Sequence, residues 1–433
     1  MPHHSTCTWF TSIGSLWGHD LPGLPKDQPL KNAWLLVEGP RILAVGTWVP
    51  GSAPVLLSGT PQVEANWTAW LTIMNEGQCD QYDMRGQGLV PSFCDPHTHL
   101  VWAGDRSSEM MDRLRGATYA QIAEAGGGIL STVAAVRALD QEELLELSQE
   151  RLNRLMKQGV ASLEIKSGYG LSLDAEAKML RVARELGRRN GIRVANTFLG
   201  LHALPPEFRD KKNEYVETVL QDWLPRLVDQ GLVDAVDIFC EQGYFDLGDL
   251  EALVGAGDRL GLPVRAHVNQ FNAFGGIKAA CQGGLLSMDH LEVMGEEDWG
   301  YLGPEAPVAV GLPLCSLYLK LPFAPLGDMV ARGQRVALGS DMNPGSAPSG
   351  NPWLTWSLGI LRCGLSPVQA LEAVTHHSAQ VLGFQDQVGS LKPGMDAHFL
   401  VLSSDWKPEH VAGGMGSVPV LSVWFAGRQL VNN

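Results

Sequence analysis

Two histidines separated by one residue, His97 and His99, carry the strongest chemical signal in this chain. Side chains at positions i and i+2 of a β-strand point to the same face. The preceding residues 88–94 are apolar, as expected of a buried strand. A histidine pair at the end of such a strand aims two imidazoles at one point, so we predict that both bind one metal ion.

Polar residues follow several other short apolar runs in the same manner. They are Lys166 with residues 167–170, His202, His267 with Gln270, Asp289 with His290, and Asp341. Each one alone is more often an ordinary hydrogen-bonded loop residue, but the repetition of one context argues for a shared site. Three histidines and an aspartate suit zinc or iron and leave positions open for water and substrate.

The elements that must position these residues alternate along the chain from residue 91 onward. Residues 140–158 are typical of an amphipathic helix that begins at Asp140, with Glu143 completing a capping box. The pattern predicts strands at 160–165, 194–200, 235–240, 263–268, 285–289 and 336–338, and helices at 174–189, 214–231, 246–261 and 275–282. This recurrence predicts the α/β class and a (β/α)8 TIM-like barrel, whose chemistry lies at the carboxyl ends of the strands.

The two ends of the chain are typical of β-structure. Residues 33–46 predict two strands joined by a turn, and residues 397–403 and 420–431 predict further strands. We therefore predict that 1–90 and 389–433 together form a small β-sandwich domain beside a barrel at 91–388. Residues 47–85 are rich in Gly, Pro, Ser and Trp without a clear period, and we interpret them as an insertion or long loop.

Composition narrows the class of protein. The 433 residues are 45% hydrophobic and 18% charged, as in a soluble globular protein with a large core. The net charge of −15, without a basic run, argues against nucleic acid or an anionic membrane as a partner. No apolar run is long enough to span a bilayer, and the first residues lack the pattern of a signal peptide. Seven scattered cysteines without a C-x-x-C motif predict reduced thiols in a cytoplasmic protein.

Several blocks of the sequence resemble one known family. They are DPHTHLVWAGDR (95–106), GATYAQIAEAGGGI (116–129), KSGYGL (166–171), FLGLHALPPEF (198–208), HVNQFNAFGG (267–276), DHLE (289–292) and SDMNPGS (340–346). From Leu35 to the C-terminus the chain resembles the amidohydrolase superfamily and, within it, the imidazolonepropionase family. The resemblance implies hydrolytic ring opening of 4-imidazolone-5-propanoate to N-formimidoyl-L-glutamate by a metal-activated water, a step of histidine degradation.

Carried over position by position, the resemblance implies roles for individual residues. The metal ligands are His97, His99, His267 and Asp341, which hold one zinc or iron ion per subunit. The substrate contacts are Arg106, Tyr169, His202, Gln270, Asn343, Gly345 and Ser346, and the catalytic residues are His290, Asp341 and His202. A small-molecule substrate and a homodimer are implied as well.

The chemistry of these residues agrees with such roles, although each has an alternative. A substrate carboxylate suits the guanidinium of Arg106, which could instead form a surface ion pair with Glu109. Tyr169 lies between two glycines, which suits a loop folded tightly over a ligand or an ordinary turn. The three glycines at 126–128 suit either a close approach to the propanoate or the C-cap of a helix. Ser346 stands where the family commonly has threonine.

Three other functions stay open. A deaminase of the same superfamily typically has a glutamate at the position of Gln270, and glutamine does not titrate. A binuclear hydrolase would use Lys166 as a carbamylated bridge, with His202 and His267 completing the second site. A barrel that only binds ligands would be expected to lose at least one metal ligand, whereas all four are present.

Overall fold

The computed structural model describes residues 7–18, 20–21, 25, 27–49, 51–116, 121 and 127–432. Its strands, in chain order, are β1 (Cys7–Leu16), β2 (Leu30–Glu38), β3 (Arg41–Thr47), β4 (Val55–Gly59), β5 (Asp80–Asp83), β6 (Gly88–Pro91), β7 (Phe93–Asp95), β8 (Val160–Lys166), β9 (Arg193–Leu201), β10 (Ala235–Ile238), β11 (Arg265–Val268), β12 (Ser287–His290), β13 (Val308–Gly311), β14 (Val336–Leu338), β15 (Phe399–Leu402), β16 (Ser422–Phe425) and β17 (Arg428–Asn432).

Two α-helices lie between β4 and β5, and the others lie between or after the strands from β7 onward. They are Pro61–Ala65, Trp67–Asn75, Ser107–Leu114, Ile129–Ala138, Gln141–Lys157, Leu173–Asn190, Lys212–Thr218, Leu224–Asp229, Leu247–Leu260, Gly276–Gln282, Pro313–Leu319, Leu326–Val330, Pro352–Leu361, Pro367–Val374, His376–Leu382 and His410–Gly414. Among the described residues, none of these helices combines the length and the apolar character needed to span a bilayer.

Strands β7 to β14 form a closed ring of parallel strands. Strands β7 to β10 pair in one row and β11 to β14 in a second row. A parallel bridge between Phe239 and His267 joins the rows at β10 and β11, and a bridge between Thr98 and Met342 joins the ends of β7 and β14. The predicted (β/α)8 barrel is confirmed, and the carboxyl ends of its strands meet at one mouth, where such barrels carry their chemistry.

The helix Gln141–Lys157 shows how the sequence covers the barrel. The Asp140 side chain accepts the Glu143 N–H, and the Glu143 carboxylate accepts the Asp140 N–H, so the predicted capping box is present. Leu144, Leu152 and Leu155 on one face of this helix are buried in the barrel core. With the outer face of β8 covered in this way, the whole strand is buried, and its polar residues can face only the barrel interior.

Strands from both ends of the chain share one mixed sheet. Their order is β17-β16-β15-β6-β1-β2-β3-β4, with β5 beside β1. The sheet curls over its own core, because Phe10 of β1 meets Phe399 of β15 and Trp424 of β16 at ring-centroid distances of 5.2 and 5.0 Å. The prediction that both ends of the chain build one small β-structure beside the barrel is confirmed. The domain limits 1–90, 91–388 and 389–433 stay a prediction.

The interpretation of residues 47–85 as a long loop is wrong for much of the segment, whereas the alternative that they form an insertion stays a prediction. It contains β4, β5 and the helices Pro61–Ala65 and Trp67–Asn75. Packing of tryptophans explains why this segment is ordered into helices: the ring of Trp67 stacks on that of buried Trp34 in β2, with 5.5 Å between the ring centroids. The short helices thus close an apolar cluster on one face of the sheet, which a search for a regular period does not detect.

The prediction of reduced thiols is wrong for two of the seven cysteines. Cys7 and Cys79 form a disulfide, with their Cα atoms 4.9 Å apart. Strand pairing explains this, because β1 and β5 are parallel neighbours in which Thr8 lies opposite Asp80. The pair is separated by 72 residues, so no local spacing could have indicated it. The other five cysteines are free.

Three further local features bear on the predictions from the sequence. The predicted helix 214–231 contains a π-helical turn at Val219–Trp223, just before Pro225, whose ring nitrogen has no hydrogen to donate to the helix. Strand β13 was not predicted, because a run of four apolar residues gives too little pattern. Both interpretations of the glycines at 126–128 stay predictions, because residues 122–126, where the preceding helix was predicted, lie outside the described residues; Gly128 is the N-cap of the helix Ile129–Ala138.

The disulfide gives the first testable prediction. Protein purified without reductant and then denatured should expose five thiols to a thiol reagent, whereas reduced and denatured protein should expose seven. The variant Cys79→Ser removes one partner, so all six of its cysteines should react without prior reduction. Seven reactive thiols in unreduced wild-type protein would mean that Cys7 and Cys79 are not joined in solution.

Candidate active site

The residues predicted to bind a metal converge at the mouth of the barrel. His97 and His99 follow β7, His267 lies in β11, and Asp341 follows β14. The ring centroids of His97 and His267 are 4.6 Å apart, and Asp341 Oδ1 lies 3.5 Å from His97 Nε2 and 3.6 Å from His99 Nε2. Two overlapping groups hold their ligand atoms within 4.8 Å of one another, one of His97, His99 and Asp341, the other of His97, His267 and His290.

Buried carboxylates fix two of these histidines. Asp289 Oδ2 lies 2.6 Å from His97 Nδ1, and the carboxylate of Asp237 lies 3.1 Å from His267 Nδ1. Because a carboxylate accepts and does not donate, each Nδ1 carries the hydrogen and each Nε2 keeps its lone pair. This is the arrangement by which proteins orient histidine ligands of metals.

The nitrogens left unpaired fit a metal ion. His97 Nε2 and His267 Nε2 are buried and have no hydrogen-bond partner among the described residues. A buried polar atom left unpaired costs about 1–3 kcal/mol, and coordination of a metal would remove that cost. Burial, which penalises the imidazolium form, lowers the pKa of His97 and of His99 well below the ordinary range. The neutral ring is the form that binds a metal, so the donor set suits zinc or iron.

Five charged side chains lie beneath these ligands, all almost completely buried: Glu164, Lys166, Asp237, Arg265 and Asp289. Lys166 Nζ lies 2.6 Å from Asp237 Oδ2, 2.7 Å from Glu164 Oε2 and 3.6 Å from Asp289 Oδ2. Burial raises the pKa of Asp289 to about 6, against the opposing effect of Lys166. Lys166 itself stays charged, because the surrounding carboxylates raise its pKa although burial lowers it.

Every residue predicted to contact substrate lines one pocket above the metal ligands. The pocket is partly open to solvent, so a small molecule can enter it from the barrel mouth. Its walls include Arg106, Tyr169, His202, Gln270, Asn343, Gly345 and Ser346, together with His99, His267, His290 and Asp341. The fold therefore brings these predicted residues together in one pocket from distant parts of the chain.

Arg106 makes the ion pair with Glu109 and also faces the pocket. Its Nε and Nη2 donate to the Glu109 carboxylate at 3.0 and 2.9 Å. Both side chains are buried, so this is not the surface pair that the sequence left open. Gly345 packs so closely on the guanidinium that a Cβ at that position would collide with it. The guanidinium of Arg106 is thus held in one place at the pocket wall.

The loop after β14 is folded by its own side chains. Asn343 Oδ1 accepts the N–H groups of Gly345 and Ser346, each at 2.8 Å, and its Nδ2 donates to the Asp341 carbonyl at 2.7 Å. Asp341 has a φ of 50°, in the left-handed region that residues other than glycine rarely adopt. The contacts of Asn343 hold that conformation, which turns the Asp341 carboxylate toward the histidines.

Tyr169 and His202 form an aromatic wall beside His99. Their ring centroids lie 5.6 and 5.1 Å from that of His99. His202 Nδ1 donates to the Gly168 carbonyl at 3.1 Å, which leaves Nε2 as an acceptor. Burial, with His267 nearby, lowers the pKa of His202 to about 3, so the ring is neutral near pH 7. Gly168 is required here, because it has a φ of 102° and a Cβ would lie 2.8 Å from His202 Nδ1.

His290 lines the same pocket from the end of β12. Its Nδ1 lies 3.3 Å from the Glu292 carboxylate, whose other contact is the Ser316 hydroxyl at 3.0 Å. Burial lowers the pKa of His290, but the Glu292 carboxylate more than offsets this and raises it above the ordinary value. A histidine with such a partner can donate a proton near neutral pH.

Sequence reasoning missed several residues of this site. Asp237 lies inside an apolar run, and only the inward direction of its side chain in β10 places it beside His267. Arg113, in the helix Ser107–Leu114, and Tyr244, six residues beyond the end of β10, also line the pocket. Arg113 lies one helical turn beyond Glu109, with 3.9 Å between their charged groups. The spacing of Arg106, Glu109 and Arg113, at three and four residues along a helix, was the sequence feature that could have indicated Arg113.

Comparison with known proteins identifies the family to which the chain belongs. A model of the amidohydrolase family matches residues 89–430. The imidazolonepropionase of Christiangramia forsetii is 37% identical over 411 residues, which are 95% of this chain and 94% of that protein. The imidazolonepropionase of Aeromonas hydrophila is 44% identical over 331 residues, which are 76% of this chain and 80% of that protein.

Among solved structures, atrazine chlorohydrolase from Arthrobacter aurescens, complexed with zinc, is similar with a TM-score of 0.65. The two chains are 17% identical, and the match covers 98% of this chain and 95% of that one. At this identity the likeness concerns the fold. The fold and the family model define an amidohydrolase. The sequence matches narrow the class further, and the chain belongs to the imidazolonepropionase family within the amidohydrolases.

The ligand assignment gives the second prediction. His97→Ala and His267→Ala should each remove bound transition metal, because each loses a nitrogen that is aimed into the site and unpaired. Elemental analysis after gel filtration measures the occupancy, and circular dichroism checks that each variant is folded. His410→Ala, at an exposed position, is the matched control and should bind metal as the wild type does. Full occupancy in both site variants would refute the assignment.

Proposed function

We propose that this protein hydrolyses 4-imidazolone-5-propanoate to N-formimidoyl-L-glutamate, the ring-opening step of histidine degradation. The observation that carries the proposal is the single pocket that joins an arginine, a histidine–tyrosine wall and the candidate metal ligands. Water adds to the ring carbonyl carbon, the bond from that carbon to the ring nitrogen breaks, and the nitrogen takes a proton. The new carboxylate becomes one end of the product.

The pocket supplies a partner for each polar part of this substrate. The fixed Arg106 guanidinium faces the pocket and suits the propanoate carboxylate. His202 presents Nε2 as an acceptor, which suits a ring N–H of the substrate. Tyr169 offers a flat surface to the ring. We assign Gln270 and Ser346 to the remaining substrate contacts, whereas Asn343 mainly folds the loop that carries Gly345.

One zinc or iron ion per subunit is part of the proposal, held by His97, His99, His267 and Asp341. When bound, such an ion supplies Lewis-acid chemistry: it polarises the ring carbonyl and makes water acidic enough to attack near neutral pH. Asp341 accepts the proton of the attacking water. His290, whose Nδ1 lies 3.3 Å from the Glu292 carboxylate, donates a hydrogen bond to the oxygen that becomes negatively charged.

A deaminase of the same fold is the nearest rival. Such an enzyme needs an acid that carries a proton to the departing ammonia. Gln270 holds that position, lines the pocket, and donates from Nε2 to the sulfur of Cys315 at 3.4 Å. An amide orients a ligand but transfers no proton, which favours ring hydrolysis. The binuclear alternative is disfavoured too, because Lys166 is fully buried among carboxylates and charged, whereas a carbamate forms on a neutral amine.

Two further properties belong to the proposal. The family resemblance supports a homodimer, and the metabolic role supports a cytoplasmic location. The direct assay follows the loss of imidazolone absorbance with purified, metal-analysed protein and identifies N-formimidoyl-L-glutamate as the product. Cytosine, adenosine and guanine are the comparison substrates. Release of ammonia from any of these at an enzymatic rate, with the imidazolone unchanged, would favour the deaminase.

The third prediction concerns substrate binding. Arg106→Ala should raise KM for the propanoate strongly, since breaking a desolvated carboxylate–guanidinium contact costs about 2–5 kcal/mol. The matched control is Arg115→Ala, because Arg115 lies at the end of the same helix with an exposed side chain. Steady-state kinetics of both variants decides the point. An unchanged KM in Arg106→Ala would place the substrate carboxylate elsewhere.

The fourth prediction separates chemistry from binding. His290→Ala should lower kcat by about 10²- to 10⁴-fold, as expected for loss of a proton donor to the developing negative charge. Metal content should stay near the wild-type value if the ligands are the four residues named above. His377→Ala is the control, because that ring is held by the Val336 carbonyl outside the pocket. A loss of metal together with activity would show that His290 is a ligand, as one of the two geometric groups allows.

A further inference from the structure

Three carboxylates surround one ammonium group beneath the candidate metal site. They come from three different strands: Glu164 from β8, Asp237 from β10 and Asp289 from β12. Lys166 Nζ lies within 2.6 to 3.6 Å of an oxygen of each. All four side chains are completely shielded from solvent. Burying such a group of charges costs free energy, which suggests that the group serves a function beyond stability.

Two of these carboxylates are the ones that hold histidines. Asp237 Oδ2 accepts from Lys166 Nζ at 2.6 Å, and His267 Nδ1 hydrogen-bonds Asp237 Oδ1 at 3.2 Å and lies 3.1 Å from Oδ2. Asp289 Oδ2 contacts His97 Nδ1 at 2.6 Å and lies 3.6 Å from the same Nζ. The carboxylate of each aspartate is therefore shared between the lysine and a histidine. Movement of Lys166 would move both carboxylates and, through them, both imidazoles.

The chemistry of lysine matches this position. An ammonium carries three hydrogens on a compact centre, and three carboxylates are arranged around it. Arginine would spread its charge over a planar fork that suits one carboxylate in two-point contact, not three carboxylates from three strands. Lys166 is also tied to the barrel through its backbone, since its N–H donates to the Thr98 carbonyl, between His97 and His99, at 2.9 Å.

We propose that Lys166 is a positioning residue for the metal centre, which holds the carboxylates that orient His97 and His267 toward one ion. The proposal rests on the metal site of the proposed function. A purely structural role, in which Lys166 only neutralises Glu164, is the competing explanation. Arg265 permits the comparison, because it is also almost completely buried, lies 3.2 Å from Glu164 and donates to the Val381 carbonyl at 2.6 Å.

The test compares three variants in a measurement that needs no turnover. Lys166→Met removes the charge and keeps the length of the side chain. Lys166→Met combined with Glu164→Gln removes one positive and one negative charge, so the net buried charge is unchanged. Arg265→Met removes the neighbouring cation, whose ion pair within the described part of the chain is with Glu164 rather than with Asp237 or Asp289. The affinity for Zn²⁺ is measured by competition with a chelator, and the visible spectrum of Co²⁺-loaded protein reports the geometry of the ligands.

We expect both Lys166 variants to bind Zn²⁺ about 10- to 100-fold more weakly than the wild type, the usual effect of losing a group that orients a metal ligand. Their Co²⁺ spectra should change as well. Arg265→Met should retain the wild-type spectrum and stay within about threefold of the wild-type affinity. Recovery of wild-type affinity in the charge-compensated double variant would overturn the proposal. An equal loss in Arg265→Met would do the same.

Each remaining outcome also decides between the explanations. If Lys166→Met is unfolded, the double variant carries the test alone. If the double variant is unfolded too, Lys166 serves the fold and the positioning role is lost. A wild-type protein that binds no Zn²⁺ would refute the metal site of the proposed function, a result distinct from a metal-binding protein that is indifferent to Lys166.

Discussion

The burial of charge at the barrel mouth is the constraint on which the rest of this structure depends. Closing eight parallel strands into a ring turns the polar residues at their carboxyl ends toward one dry interior. There, an ion without a partner costs several kcal/mol. Lys166 and Arg265 offset two of the negative charges of Glu164, Asp237, Asp289 and Asp341. Among these six side chains the carboxylates outnumber the cations by two, and a divalent cation would offset that excess.

The backbone near the site has strained φ angles, which contacts with the rest of the fold must stabilise. Asn269, His290, Leu291 and Asp341 all have positive φ values although none is glycine. Each follows or ends a barrel strand, where the chain must turn sharply to keep a side chain over the mouth. Such conformations cost of order 1–3 kcal/mol each and persist only where many contacts determine them. The hydrogen bonds of Asn343 and the pairing of β12 with its neighbours are contacts of this kind.

Much of the fold and the site could be predicted because their signals are local. The strand-then-helix recurrence and the polar residues after apolar runs gave the barrel, and the family resemblance gave pocket residues that the structure indeed gathers in one place. What escaped prediction depends on tertiary neighbours. The Cys7–Cys79 pair follows from the pairing of β1 with β5, and the role of Asp237 follows from the direction of one side chain in β10. Neither leaves a period or a spacing in the sequence.

Under the proposed function, the ion pair between Arg106 and Glu109 would assist substrate binding although it occupies part of the guanidinium. A free arginine would lose conformational freedom when it captured a carboxylate, a cost of about 0.5–1.5 kcal/mol for a flexible side chain. Glu109 and Gly345 have already fixed the guanidinium, so that cost was met on folding. The charge remains suitable, because Arg113 adds a second cation next to the same glutamate and lines the pocket. Arg106, Glu109 and Arg113 together leave one positive charge, which is the complement of a single carboxylate.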